Sequence, residues 1–489
     1  MNGKATVLAF DIGASSGRAV RARYENGALR YEEVHRFENS PVESGGHLCW
    51  DFDALLREVR AGMEKAGDFD SLGFDTWGVD FGLLDENGRL LSRPVHYRDA
   101  RTNGMAKRAL GKMDAETLYA GTGNQIMDIN TLFQLTALKE QQPGLLQKAR
   151  TLLFMPDLFS YSLCGKAVCE RSIASTSQML DPRTGGWRAD VLGAFGLPKE
   201  ILLPPVPSGT EIGALPGGAR VIAVAGHDTQ CAAAAVPSQS EDAAFLSCGT
   251  WSLLGTELPA PVLTAESCAL GLSNELGANG KINYLKNIIG LWLIQESRRE
   301  WRRRGKEYSF ADLERLARDA KPLRCLIDPD APEFTPPGDI PGRVREFCRR
   351  TGQYEPQSEG EIMRCIYESL ALKYRFALDQ LQRATGRRFG VLHILGGGTK
   401  DRLLCQMSAD STGVPVVAGP VEATALGNFI IQLAALGVLP DLAAGRGVIA
   451  RSEALKRYAP ADTGAWNKAY ETYCRMIAYG DSLQNGTAK

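Results

Sequence analysis

The sequence predicts a mixed α/β chain of two domains, and three observations carry that expectation. Its 489 residues exceed the roughly 250–300 at which one hydrophobic core stops growing. Apolar, β-branched runs ending in Gly or Asp alternate with stretches whose apolar residues fall at three and four spacing. A strand-turn-strand pattern near the N-terminus recurs in form about half a chain later. A cleft between the two domains follows as an expectation.

The expected strands are Thr6–Phe10, Ser71–Phe74, Val221–Ala225, Ala244–Leu246 and Val391–Leu395, and the clearest helices are Phe52–Ala66, Thr131–Gln141 and Ile362–Ala384. Such alternation means mostly buried sheets. Ala9–Val20 (AFDIGASSGRAV) reads as strand, glycine turn and strand, and Phe245–Gly255 (FLSCGTWSLLG) has the same form, with Gly13 and Gly249 standing 236 residues apart. The boundary is expected in the polar, turn-rich PSQSED, Pro237–Asp242, giving domains 1–240 and 241–489. Leu202–Gly218 and Asp328–Gly342 read as loops, and the C-terminus as a helix from Asp462 to about Ala478 with a polar tail.

Composition narrows the function. With 56 basic and 57 acidic residues the formal net charge is −1, so nothing calls for a nucleic-acid or anionic-membrane partner. The N-terminus lacks the ordered regions of a secretory signal, and no apolar run reaches the ~18 residues of a spanning helix; a cytosolic location is expected. The eleven Cys show no CxxC pairs or His partners at metal spacing. They read as small core residues. Cys164 with Cys169, and Cys348 with Cys365, are pairs that a fold can bring close, and a reducing cytosol favours thiols. No HExxH or GxSxG pattern occurs.

In Asp11–Arg18 (DIGASSGR), Gly13 and Gly17 allow backbone to approach a phosphate, the amides and the Ser15 and Ser16 hydroxyls donate to it, and Arg18 offsets charge. Neither a Walker motif nor a dinucleotide fingerprint is present. Asp11 suits a water-mediated Mg²⁺ contact, since magnesium keeps several waters and takes one or two carboxylates. The other reading is a tight hairpin whose serines satisfy its own backbone. Ser247–Ser252 (SCGTWS) repeats the form, and two such hairpins grip a polyphosphate better than one.

Asp228, in GHDT after Val221–Ala225, sits at a strand-to-helix junction, where a carboxylate accepts a proton from an attacking alcohol or merely caps the helix. Asp75-Thr-Trp-Gly-Val-Asp80 places two carboxylates and an indole at a strand end; Asp80 and Trp77 suit a sugar's hydroxyls and ring face, or else form a core Trp with a capping Asp. Gly396-Gly-Gly398 lets backbone lie against a flat ring or phosphate, or is a plain turn.

The order of these motifs resembles the FGGY carbohydrate kinases. From Val7 to about Leu436 the likeness is carried by FDIGASSGRAV, FDTWGVDFGLLD, YRDARTNG, NTLFQL, LLFMPDLFSY, AGHDT, LSCGTWSLLG, LKNIIGLWL, HILGGGTKDRLL and AGPVEATALGN. DTWGVDF with YRDARTNG distinguishes it from xylulose, glycerol and gluconate kinases. The resemblance implies two ribonuclease-H-like, actin-like ATPase domains, the first binding sugar and carrying the first phosphate loop, the second binding nucleotide, closing on ATP and a ketose. It implies phosphorylation at O1 of L-rhamnulose, with L-fuculose or L-ribulose as alternatives, and a monomer or homodimer. Asp228 then matches the proton acceptor; Gly78, His227, Asp228, Thr229 and Asn287 match sugar contacts. Ala14, Ser15, Ser16, Gly17 and Arg18 match the first ATP loop, Thr250, Gln295 and Gly397 the nucleotide side, and Asp11 the magnesium-associated carboxylate. Cys348 and Cys365 fall where the subfamily sometimes carries a disulfide. Cys248 stands where relatives have Ser or Gly, which implies an ATP loop sensitive to thiol modification.

A non-catalytic actin-like ATP-binding or filament protein, or a chaperone ATPase, is the rival of another class. It has no reason to keep Asp228 together with the DTWGVDF carboxylates. A sensing regulator would need a DNA-binding module, and no helix-turn-helix precedes residue 7.

Overall fold

The computed structural model describes residues 3–238 and 240–484, so Gln239 within the expected boundary and the last five residues of the expected polar tail lie outside the described residues. The chain divides into two compact units. The first comprises Met1–Gln239, Glu257–Leu285 and Ala423–Glu453; the second comprises Ser240–Thr256, Lys286–Glu422 and Ala454–Lys489.

In the first unit a sheet has the order Thr210–Ala214, Arg220–Ala223, Ser71–Thr76, Ala5–Ile12, Ser16–Glu25, Ala28–Glu38. Ala5–Ile12 runs parallel to Ser71–Thr76 and antiparallel to Ser16–Glu25, and Ser71–Thr76 is parallel to Arg220–Ala223. Leu8, Phe10, Leu72 and Phe74 are fully buried or nearly so, as strands covered on both faces require. Phe10 stacks on Phe74 at 5.0 Å, and Phe74 on Phe159 at 5.5 Å. Helix Phe52–Ala66 begins at Asp51, whose side chain accepts from the Ala54 amide. It lays Phe52, Leu55 and Val59 into the core.

The stretch 202–218, expected as loop, contributes the edge strand Thr210–Ala214, with a register shift between Glu211 and Gly213. Pro and Gly flank the strand, and at an edge an irregular ladder is tolerated, so turn-rich composition hid it.

The two later stretches of the first unit close around helix Asp228–Ala234. Gly427, in helix Ala423–Ala435, passes so close that an added Cβ would stand 1.8 Å from the Cys231 carbonyl oxygen. Arg446 donates to the Ala233 and Ala234 carbonyls at 3.0 Å each and pairs with Glu257 at 2.7 Å. A cation on the last carbonyls of a helix is favourable.

The second unit repeats the plan. Ala243–Cys248 is antiparallel to Trp251–Leu258 and parallel to Val391–Leu395, which is parallel to Val416–Ala418, itself antiparallel to Lys456–Tyr458. The long helix Glu359–Thr385 starts with a Ser358/Glu361 capping box and ends at Gly386, left-handed at φ 68°. Helix Thr463–Gln484 runs past the expected end at Ala478. Among the described residues no helix is long and apolar enough to cross a membrane.

Candidate active site

Parallel pairing sets the first unit's polar residues along one sheet edge. Asp11 is in register with Asp75, and Thr76 with His227. Carboxyl ends of parallel strands are where α/β sheets bind ligands. Asp11 is ion-paired with Arg18 across the hairpin. The turn between them is fixed by Gly13 donating to the Ser16 carbonyl at 2.9 Å, and by Asn39, whose side chain donates to the Gly13 carbonyl at 2.8 Å. Ser15 is exposed at the tip, with Gly13, Ala14 and Ser16 half-buried beside it. Gly17 also has a packing reason. A Cβ there would lie 2.2 Å from the Phe37 ring, so the absence of a side chain serves packing inside the sheet.

Asp228 is the first residue of helix Asp228–Ala234, and the N-cap is His227, which makes no side-chain cap bond. The capping explanation for Asp228 is thereby removed. Its carboxylate accepts from the Thr229 amide at 2.5 Å and the Thr229 hydroxyl at 3.2 Å, and its side chain remains 33% exposed. Burial pushes the carboxyl above the usual range; His227 pulls it down and the Asp11 charge pushes it up again. Thr229, expected at the sugar, spends its amide and hydroxyl on Asp228.

His227 stands between two carboxylates. Its Nδ1 is 2.8 Å from Glu275 and its Nε2 3.5 Å from Asp228. Desolvation lowers its pKa, but Glu275, with Asp228 behind it, outweighs that and raises it. Glu275 lies on strand Ser273–Leu276, opposite Asn283, and also accepts from Gln230 Nε2 at 2.6 Å; Asn283 in turn donates to Gln230. The loop before His227 is held by Glu170, which accepts from the Gly226 amide at 3.0 Å, the Ser172 amide at 2.9 Å and the Ser208 hydroxyl at 2.6 Å.

Asp75 is fully buried. Its Oδ2 accepts from Asn428 at 2.7 Å and its Oδ1 has no partner. Burial first, then Asp11, hold its carboxyl well above the usual range. Asp75 feels the charges of both Asp11 and Asp228, Arg18 is paired with Asp11, and one buried carboxylate oxygen, Asp75 Oδ1, is unmatched. That excess of oxygen donors and negative charge fits a hydrated Mg²⁺.

Of the two readings of Asp80 and Trp77, the geometry favours the core one. Asp80 is fully buried and accepts from Trp50 Nε1 at 2.6 Å, Trp77 Nε1 at 2.9 Å, the Tyr97 amide at 3.1 Å and Gln134 Nε2 at 2.9 Å. Burial pushes it up to about 6 against these donors. Trp77 packs on Trp50 at 4.0 Å. Between them Gly78 stays half-buried at the strand end, next to Val79 in the left-handed region at φ 69°, rare for a β-branched residue. The Val79 amide donates to Thr176 Oγ1 at 3.1 Å, which holds the turn in place.

In the second unit the expected nucleotide residues converge. Thr250, in the turn after Ala243–Cys248, donates to Gln295 Oε1 at 3.2 Å, and Gln295 lies in the first turn of helix Trp292–Arg303. The parallel neighbour Val391–Leu395 ends in Gly396–Gly398, with Gly396 at φ 79° against the Cys248 carbonyl and Gly397 exposed. A Cβ at Gly398 would stand 2.2 Å from Cys248 Sγ. The sensitivity expected of Cys248 does not follow: it is 1% exposed and burial pushes its thiol up to about 11. Asn287 lies half-buried on strand Ile282–Ile289, just after the chain leaves the first unit at Leu285.

All eleven cysteines are free thiols. Glu275, Glu170, Asn39 and Asn428 were missed by sequence reasoning. Each comes from a segment remote from the motif it supports, and the one signal, a charged or amide residue inside an apolar strand or helix, is plain only for Glu275 and Asn428.

Residues 6–233 match the FGGY family of carbohydrate kinases, N-terminal domain, and residues 244–436 match its C-terminal domain. A rhamnulokinase of Bacteroides thetaiotaomicron is 43% identical over 480 residues, covering 96% of this chain and 98% of that protein. One from Oceanobacillus iheyensis is 38% identical over 464 residues, 92% and 98% of the two. A gluconate kinase structure from Lactobacillus acidophilus shares the fold at TM-score 0.79 and 17% identity, over 98% of both chains. Plasmodium falciparum glycerol kinase with ADP does so at TM-score 0.75 and 15% identity, over 99% of this chain and 98% of that one. The two actin-like, ribonuclease-H-like halves are thus a shared architecture.

Proposed function

Because the chain belongs to the FGGY family of carbohydrate kinases, we propose that it transfers the γ-phosphoryl group of ATP to O1 of L-rhamnulose, giving ADP and L-rhamnulose 1-phosphate. The substrate rests on the rhamnulokinases it resembles at 43% and 38% identity over nearly full length. The observation that carries the mechanism is Asp228: a carboxylate freed from capping, still partly open to solvent, and made more basic by burial and by Asp11.

In this reading Asp228 takes the proton as the O1–H bond breaks, O1 bonds to the γ-phosphorus, and the bridging oxygen leaves with ADP. His227 holds a sugar hydroxyl, its orientation set by Glu275. Gly78 offers backbone to the sugar; Thr229 acts through Asp228. Asn287 is a further sugar contact. Ala14, Ser15, Ser16, Gly17 and Arg18 hold phosphate oxygens, and Thr250, Gln295 and Gly397 hold the nucleotide. Asp11, with Asp75 behind it, would hold Mg²⁺ through water, and the ion supplies charge neutralisation at the phosphates. The free thiols support a cytosolic setting.

The test is ADP release with ATP and Mg²⁺ across a panel of ketoses, with Asp228→Asn alongside. L-Rhamnulose should give the highest kcat/KM, and the variant should lose about 10²–10⁴-fold in kcat while keeping its circular dichroism. Preference for L-fuculose or L-ribulose would overturn the substrate; near wild-type turnover by Asp228→Asn would overturn the base.

A further inference from the structure

The second unit holds a group of side chains that neither sugar nor nucleotide uses. Cys325, Cys348 and Cys365 have their three Sγ atoms all within 4.8 Å of one another. They come from separate segments: Cys325 from the irregular stretch after helix Phe310–Asp319, Cys348 from the end of helix Ile340–Arg350, and Cys365 from the second turn of helix Glu359–Thr385. Their exposures are 4%, 0% and 1%. Among the described residues this is the one place where three or more His, Cys, Asp or Glu donors converge so tightly; the active-site carboxylates do not.

The surrounding hydrogen bonds hold the three sulfurs in register. The side chain of Gln353 accepts from the Leu326 amide and donates to the Leu326 carbonyl, both at 2.8 Å, while its own amide donates to the Cys348 carbonyl at 2.9 Å. That ties the backbone beside Cys325 to the helix end bearing Cys348. On the other side the Ile327 amide donates to Ser369 Oγ at 2.9 Å, and Ser369 Oγ donates to the Cys365 carbonyl at 2.6 Å. The Leu323 amide donates to Glu368 at 2.9 Å. Every segment that supplies a sulfur is thus anchored to another through polar groups that are not themselves sulfur. Support of this kind orients ligands in metal sites.

An isolated buried thiol packs as a small hydrophobe. Three mutually adjacent sulfurs make a different donor set, all soft and with no oxygen or imidazole, and such sets select soft cations over Mg²⁺ or Ca²⁺. Metal–sulfur bonds of about 2.3 Å at tetrahedral angles would set the sulfurs about 3.8 Å apart, within the observed limit of 4.8 Å. With three protein donors and little access for water, the site suits an ion content with three sulfurs, such as Cu⁺ or Cd²⁺, better than Zn²⁺, which seeks a fourth ligand.

We propose that Cys325, Cys348 and Cys365 form a three-sulfur site for one thiophilic metal cation, which cross-links helices Ile340–Arg350 and Glu359–Thr385 with the irregular stretch that precedes them. Each sulfur that coordinates gives up its proton to solvent, so binding releases protons, and no electron transfer is involved.

The test uses the whole protein, kept reduced with a phosphine and titrated with Cd²⁺. One equivalent should bind with a sulfur-to-cadmium ultraviolet band, and Mg²⁺ in excess should not displace it. Alkylation with mass spectrometry should show Cys325, Cys348 and Cys365 protected together under denaturant levels that expose them in the metal-free protein. Cys325→Ala should weaken the first equivalent at least 100-fold without changing kcat, while Cys268→Ala should leave it intact. Absence of the band at one equivalent overturns the proposal, as does undiminished binding in Cys325→Ala. So does recovery of Cys348 and Cys365 as a disulfide from the phosphine-treated protein. The alkylation footprint needs no substitution, so it decides the matter even if Cys325→Ala fails to fold.

Discussion

Glu275 is 4% exposed and receives two hydrogen bonds, from His227 Nδ1 at 2.8 Å and Gln230 Nε2 at 2.6 Å. In Glu275→Gln the single amide oxygen can accept from one of these, and its NH₂ faces the other. One buried donor is left unmatched, costing about 1–3 kcal/mol, and a charge-assisted bond worth about 1.5–3 kcal/mol is lost while His227 is protonated. The sign follows from the direction of the His227 shift. Its folded value is raised, so the pair's stabilisation is fully present below the ordinary value of 6.5 and is lost as pH rises through the folded value. The deficit of Glu275→Gln should therefore be about 2.5–6 kcal/mol at pH 6 and smaller at pH 9, falling to about 1–3 kcal/mol once His227 is neutral. A chain of two units does not unfold as two states, so the readout is hydrogen exchange of the amides in helix Asp228–Ala234, corrected for intrinsic rates. With it, kcat/KM for the ketose should fall about 10–100-fold and Glu275→Asp should recover part of the loss. An equal deficit at both pH values would refute the protonated His227–Glu275 pair, and unchanged kcat/KM would remove Glu275 from the site.

Asp80→Ala leaves the two indole N–H groups and the Tyr97 amide without their acceptor. At about 1–3 kcal/mol for each orphaned donor, partly offset by removal of a buried charge, it should destabilise the first unit by about 3 kcal/mol or more, read as lost exchange protection in strand Ser71–Thr76. The KM for ATP should not change in the fraction that stays folded. Cys248, with its thiol pushed up to about 11 and 1% exposed, should resist iodoacetamide at pH 8 for as long as the protein is folded. Rapid alkylation at that position, mapped by mass spectrometry, would mean that the loop opens.

The hairpins, the parallel strands and the long helices were legible because each is a local pattern: alternation, glycine turns and three-to-four spacing are written into adjacent residues. Thr131–Gln141 and Phe52–Ala66 were placed to the residue for this reason. Asp228 was legible as a carboxylate at a strand-to-helix junction, yet its freedom from the cap position was not, since that depends on His227 taking it. Asp80 stayed between two readings because a motif names an Asp and a Trp without saying that both turn inward, toward Trp50 from another segment. Glu170 and Asn39 act on loops 56 and 26 residues from themselves, a distance over which no periodicity speaks. The packing need at Gly17 was hidden for the same reason, since Phe37 lies on another strand.

The return of Ala423–Glu453 to the first unit has a consequence for synthesis. Asn428 supplies the partner of Asp75, Gln432 donates to the Leu8 carbonyl at 3.0 Å and accepts from Ser71 at 2.7 Å, and Arg446 closes the helix that begins with Asp228. A ribosome that has released only the N-terminal half has therefore made a sheet lacking one of its covers, with the central strands' polar atoms unmet. The first half of the gene does not encode a free-standing lobe; its maturation waits for the translation of codons near the far end, and the unfinished lobe is what a nascent-chain chaperone would meet.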